Sequence, residues 1–221
     1  YTPFIGHFLT KEKLLECKKN LATTIQRNFR KTYLDGDFST GKNYLSFQVI
    51  QKYISNFIDF EIEQVAQHKI KIVALEQNMQ TVIHIPGISH PIVLKGKLDR
   101  VDEINGLTRI IDYKTGKVER RNVELPSWEE LIQEYRYSKA FQLLCYAYMY
   151  LKEKPGTPVE AGIISLKNLK EGTLLFSQKT EHKGLKNSTI NSEVISTFEA
   201  ALHTLLLEIY DSSIPLLEKE I

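Results

Sequence analysis

Gly96-Lys97-Leu98-Asp99-Arg100-Val101-Asp102 and, beyond Asn105-Gly106, Ile110-Ile111-Asp112-Tyr113-Lys114-Thr115-Gly116 form the stretch that decides the fold. Apolar residues interleave with polar ones on both sides of an Asn-Gly pair, the pattern of two antiparallel strands joined by a tight turn. Alternation predicts Lys95, Lys97 and Asp99 on one face of the first strand, with Ile92, Leu94 and Leu98 on the other. In the second strand Asp112 and Lys114 share a face and Tyr113 points away. Asp99 and Asp112 are therefore expected to approach each other across the hairpin. Two close carboxylates repel unless a cation or a shared proton offsets them. A hard divalent ion such as Mg²⁺ takes oxygen ligands and suits that position. Lys114 would stand beside it as a cation, placed to orient or deprotonate an attacking water or to stabilise charge growing on phosphorus. An isolated Asp-x-Lys has little specificity, because a surface ion pair gives the same pattern.

Working outward, Leu9-Thr10 followed by Leu14 predicts a helix start, with Thr10 as N-cap and Leu9 and Leu14 as a hydrophobic staple. Apolar residues at helical spacing from Leu14 through Leu21 and Ile25 to Phe29 predict one amphipathic helix, broken by Asp35-Gly36-Asp37. A second helix is expected from Ser39-Thr40 to about His68, with Leu45, Val49, Tyr53, Phe57 and Ile58 on one stripe. Residues 70–76 and 81–85 read as two strands separated by a short polar turn, before the hairpin strands themselves. A long polar connection with Pro126 and Trp128 follows from Thr115 to Tyr137, with a short helix around Ser127–Glu134. An apolar helix over Ser138–Lys152, strands over Val159–Leu166 and Gly172–Ser177, and a final amphipathic helix complete the plan. The expectation is one α/β domain over 1–221: helical from 1 to 68, a sheet-bearing core from 70 to 178, and a C-terminal helix from 188 to 211.

From Phe141 to Leu151 a single amide, Gln142, sits among apolar and aromatic residues. An unpaired buried amide would cost roughly 1–3 kcal/mol, so Gln142 is expected to have a defined partner. Tyr146, at i+4, shares its helix face. Either the pair belongs to a polar network inside a core helix, or it faces the Asp99/Asp112 site.

The composition narrows the classes further. The 221 residues carry a formal charge of +2, which argues against a surface basic all over while leaving room for a local groove. Basic residues gather at Arg27/Arg30/Lys31, at Lys114/Lys117/Arg120/Arg121 and at Arg136/Lys139, the last two groups flanking the candidate site. No apolar run is long enough to span a bilayer, so no membrane role is expected. Cys17 and Cys145 lie in apolar helical patterns, which suits free thiols in a reducing, cytoplasmic setting. The histidines His68, His84, His90, His182 and His203 show no ligand spacing, and Glu76 is a modest candidate for an outer position at the site.

The ordered trio G-x-x-D-R at Gly96–Arg100, D-Y-K-T-G at Asp112–Gly116 and Q-x-x-x-Y at Gln142–Tyr146 resembles the RecB/AddB-type exonuclease domain of the PD-(D/E)xK nuclease superfamily. The resemblance implies a restriction-endonuclease-like fold, a central mixed β-sheet flanked by helices. It implies Mg²⁺ or Mn²⁺ held by Asp99, Asp112 and the Tyr113 carbonyl, with Lys114 as the catalytic lysine and Gln142 and Tyr146 on the supporting helix. It also implies a metal-dependent phosphodiesterase acting on DNA, with a helicase or recombination-repair assembly as partner. One feature departs from the family: the expected G-x-x-x-H helix has no counterpart, since Gly6-His7 has the wrong spacing. That ligand is expected upstream of Tyr1, which would leave this piece weak in metal binding. The competing expectation is an inactive DNA-binding or assembly module that keeps the nuclease fold.

Overall fold

A computed structural model describes residues 1–32, 40–179 and 186–215. The Asp35-Gly36-Asp37 break and His182 lie outside them.

The central sheet grows from the Asn105-Gly106 turn. Both turn residues have positive φ, 51° and 89°, as a two-residue hairpin of matching twist requires, and Asn and Gly tolerate that conformation. The turn joins β2 (Ile92–Ile104) to β3 (Leu107–Lys114), which pair antiparallel with Arg100 opposite Ile111. β1 (Ile70–Ile83) lies antiparallel on the other edge of β2. It is one strand of 14 residues where two were expected. Residues 77–80, expected as a turn, continue the ladder, with Met79 buried between exposed Asn78 and Gln80.

β5 (Val159–Ser165) pairs parallel with β3, and β6 (Thr173–Leu175) closes the far edge antiparallel to β5. The strand order is β1-β2-β3-β5-β6, a mixed sheet. The parallel step needs a crossover, supplied by α4 (Trp128–Gln133) and α5 (Ser138–Glu153). The expected strand over 172–177 splits instead. β6 ends at Leu175, and β7 (Ser177–Lys179) joins β4 (Glu124–Leu125) and β8 (Lys186–Asn187) in a small second sheet.

The N-terminal helices also depart from expectation. The segment expected as one helix is α1 (Lys11–Lys19) and α2 (Leu21–Thr32), divided at Asn20, which caps α1 with non-helical backbone. Thr10 does cap α1, accepting from the Lys13 amide at 3.4 Å. In α3 (Gly41–Gln67) the buried residues are Phe47, Phe57, Ile58 and Glu61, whereas Leu45 and Val49 of the expected stripe are exposed. Only the C-terminal part of α3 reaches the sheet, where Phe57 packs with Ile111 and Ile164.

α5 covers the opposite face with α6 (Ser192–Tyr210) behind it, and the main core lies there among Val101, Ile110, Leu143, Ala147, Tyr148 and Phe198. α6 begins at Ser192, its N-cap Asn191 accepting from the Val194 amide at 3.0 Å. The sheet thus lies between α3 and α5, the mixed α/β arrangement of the restriction-endonuclease-like fold. Among the described residues no helix is long and apolar enough to cross a membrane.

Candidate metal and phosphodiester site

The β2–β3 ladder, extended one pair beyond Arg100–Ile111, sets Asp99 opposite Asp112. Simple alternation does not carry Asp99 there. Leu98 and Val101, three residues apart, both pack in the core beneath α5, while Arg100 between them turns toward α3. The break falls opposite Glu76, whose φ of 52° is left-handed. The kink seats Asp99 on the α5 side, with Asp112. Glu76 itself stays exposed and pairs with Lys97, so neither the outer site position considered for Glu76 nor the shared face expected for Lys97 and Asp99 is seen.

Asp112 is only 3% exposed. Its Oδ2 lies 2.8 Å from the Lys114 ammonium. That contact is an ion pair without hydrogen-bond alignment, and Oδ2 is left buried with no hydrogen-bond partner. Burial pushes the Asp112 carboxyl above the usual carboxylate range; Lys114 pulls it back, and Asp99 adds to the rise. Asp99 is half-buried and accepts from the Tyr113 amide at 2.8 Å. The N–H and C=O of one strand residue point to the same side, so the Tyr113 carbonyl also turns toward Asp99.

α5 supplies the other wall. Lys114 Nζ donates to Gln142 Oε1 at 3.0 Å, and Gln142 Nε2 donates to the Tyr146 hydroxyl at 2.7 Å. Gln142 thus has the partners its burial demands, and they belong to the site. The Tyr146 hydroxyl is raised by burial, with the Gln142 bond opposing and Asp112 and Asp99 adding to the rise. Gly96 lets the helix come this close: a Cβ there would stand 2.5 Å from Met149 Cε and 3.0 Å from the Tyr146 ring. Beyond Lys114 the chain is anchored by Ser165, whose hydroxyl donates to the Gly116 carbonyl at 2.8 Å.

This donor set fits a hard divalent cation. A buried carboxylate oxygen whose one partner is the Lys114 ion pair, a second carboxylate on the neighbouring strand and a carbonyl between them are oxygen ligands of the right kind. Among the described residues no group of three His, Cys, Asp or Glu side chains gathers at one point, so the set is two carboxylates and no histidine. His68 bonds Asn105 at 3.1 Å, and His90 stacks edge-on against Tyr210, both away from the site. The flanking basic groups are largely paired: Lys117 and Arg121 with Glu119, Arg136 with Glu130 at 2.6 Å. Cys17 and Cys145 are free thiols, the second buried.

A further set of residues lies directly behind the site. Asp102, in the hairpin stretch beside Arg100, is fully buried and takes a bidentate contact from Arg109 at 2.9 and 3.0 Å. Arg100, 1% exposed, reaches Glu61 of α3 at 2.9 Å and the Tyr113 hydroxyl at 3.1 Å. Nothing local in the sequence marks this burial, since charges at alternate strand positions ordinarily face water and Glu61 resembles any polar residue of a helix.

A mixed sheet carrying two acidic residues and a lysine on adjacent strands presents the oxygen donors that a hard divalent cation takes. The family model described as the PD-(D/E)XK nuclease superfamily matches residues 6–220, and the chain belongs to that superfamily. Nuclease activity of the phosphodiesterase kind, with divalent metal, is the general property of the family. No curated protein matches the chain significantly.

Proposed function

We propose that this chain is a RecB/AddB-type nuclease domain that hydrolyses DNA phosphodiester bonds and works beside a helicase or in a recombination-repair assembly. The observation that carries this reading is the convergence of Asp99, Asp112 and Lys114 with Gln142 and Tyr146 on one face, the three parts of the G-x-x-D-R, D-Y-K and Q-x-x-x-Y pattern. Asp99, Asp112 and the Tyr113 carbonyl would hold Mg²⁺ or Mn²⁺. Such an ion supplies Lewis acidity toward a phosphoryl oxygen and activates water at neutral pH. Lys114, held between Asp112 and Gln142, would set its ammonium beside the phosphoryl group on which charge builds. Gln142 fixes that lysine, and the Tyr146 hydroxyl fixes Gln142, so the amide and the ammonium need no reorganisation when substrate arrives.

The test is digestion of linear single- and double-stranded DNA with Mg²⁺ or Mn²⁺. Cleavage should stop with EDTA and fall about 10²–10⁴-fold in Lys114→Ala. Cleavage that survives Lys114→Ala overturns the assignment. Among the described residues no third His, Cys, Asp or Glu joins the site, and that favours a second reading, an inactive DNA-binding module. DNA binding without cleavage in either metal would support it.

A further inference from the structure

Behind Asp99 and Asp112, the same two strands bury a second set of charges that the chemistry does not use. Glu61, 2% exposed, projects from α3 and accepts from Arg100 Nη1 at 2.9 Å. The same nitrogen donates to the Tyr113 hydroxyl at 3.1 Å. One guanidinium therefore ties a helix, β2 and β3 together at the residues adjoining Asp99, Asp112 and Lys114. Phe57 backs the Tyr113 ring edge-on at 5.4 Å, one helical turn from Glu61.

This arrangement is costly as packing. Arg100 Nε and Nη2 make no hydrogen bond, although Nη2 lies 2.6 Å from Asp102 Oδ2. Buried ion pairs of this kind often stabilise no better than apolar residues of equal volume, and their best-attested use is to fix one arrangement against alternatives. The strand pairing around this point is irregular: β2 changes which face it presents at Asp99, the opposing Glu76 has left-handed backbone, and the β1–β2 register shifts between Ile72 and Ala74. The strand register that sets Asp99 against Asp112 needs a second constraint, and Arg100 is the neighbouring residue.

We propose that Glu61 is a positioning residue: through Arg100 and Tyr113 it holds β2 and β3, from behind the sheet, in the register that brings the Asp99 and Asp112 carboxylates together. The proposal rests on the nuclease reading for its purpose, but not for its main measurement. The Tyr113 amide, bonded to the Asp99 carboxylate, reports the register without metal or DNA. The Phe176 amide, bonded to the Ala161 carbonyl at 2.8 Å, reports the sheet elsewhere.

Native-state hydrogen exchange is measured on the whole chain for Glu61→Gln and Glu61→Leu. Arg109→Met serves as a control that strips a charge from the same buried network at the turn end. The Tyr113-to-Phe176 exchange ratio should rise about tenfold in Glu61→Leu, the size of loss typical when a ligand-orienting partner is removed. The rise should be smaller in Glu61→Gln, which keeps an acceptor for Arg100, and the ratio should hold in Arg109→Met. On DNA, Glu61→Gln should lower kcat with KM unchanged. If both amides accelerate equally in the Glu61 variants, Glu61 is only a stabilising residue and the proposal fails. Should the unaltered chain cut no DNA, the nuclease reading fails, while the exchange ratio still decides the role of Glu61.

Discussion

On the α5 face of the β2–β3 hairpin, Asp112 lies buried with one oxygen lacking a hydrogen bond, and its neutralising lysine is shared with Gln142. On the α3 face of the same strands, Arg100 and Arg109 meet Glu61 and Asp102, two positive charges against two negative. The first group has two carboxylates and one lysine, and it remains short of positive charge. The second is balanced and sealed from water. On the proposed reading, the difference separates a surface prepared for a ligand from one that fixes geometry: the first would be completed by a cation from outside the chain, the second by the chain itself.

That contrast can be broken from either side. The largest stability effect is expected behind the sheet. Arg100→Met leaves Glu61 buried without its partner, and removing one member of a buried pair costs roughly 3–5 kcal/mol. Urea unfolding should show the loss as a lower midpoint with unchanged slope. The front face should respond with the opposite sign. Asp112→Asn removes a carboxylate that burial disfavours, so it should raise Tm by about 2–4 °C, the shift that roughly 1 kcal/mol produces in a chain of this size. Nuclease activity should fall in the same variant. Stability bought at the expense of activity would mark the site as strained for function.

A smaller effect is expected at Glu199, outside both groups. Burial raises its carboxyl, but the Tyr148 hydroxyl at 2.6 Å and Lys152 at 3.0 Å outweigh it and hold it below the usual range. A carboxyl lowered in the folded state adds stability above its ordinary pKa and loses it as pH falls through the folded value. Glu199→Gln should therefore cost less than about 1 kcal/mol at pH 7, since the pair is partly exposed. The difference from the unaltered chain should narrow as pH falls below ~4, where the unfolded carboxyl is protonated first, and close once the folded carboxyl is protonated as well. Thermal unfolding at several pH values checks this.

How much of this was legible in the sequence follows from the same residues. Asn105-Gly106 fixed the hairpin because its backbone demands are local, and the apolar run with one amide fixed α5 for the same reason. Gln142 was expected to have a partner, and Lys114 and Tyr146 are those partners. The unbroken alternation expected through Leu98 and Asp99 failed because the kink at Glu76 lies on another strand, 23 residues earlier, and no local pattern in β2 records it. The buried network was missed for a related reason. Glu61 looks like any polar residue of a helix, and only the packing of α3 onto the sheet puts it beside Arg100. Chain splits such as Asn20 and the division of β6 from β7 depend on tertiary contacts that outweigh local propensity.

The central claim is that Asp99 and Asp112 form a site for a hard divalent cation. Titration of the chain with Mn²⁺, followed by the loss of the free-ion electron paramagnetic resonance signal, tests it without DNA. Saturable binding is predicted, competed by Mg²⁺ and weakened at least about tenfold in Asp112→Asn while the variant remains folded. Binding of equal strength in Asp112→Asn, or no saturable binding by the unaltered chain, would contradict the account.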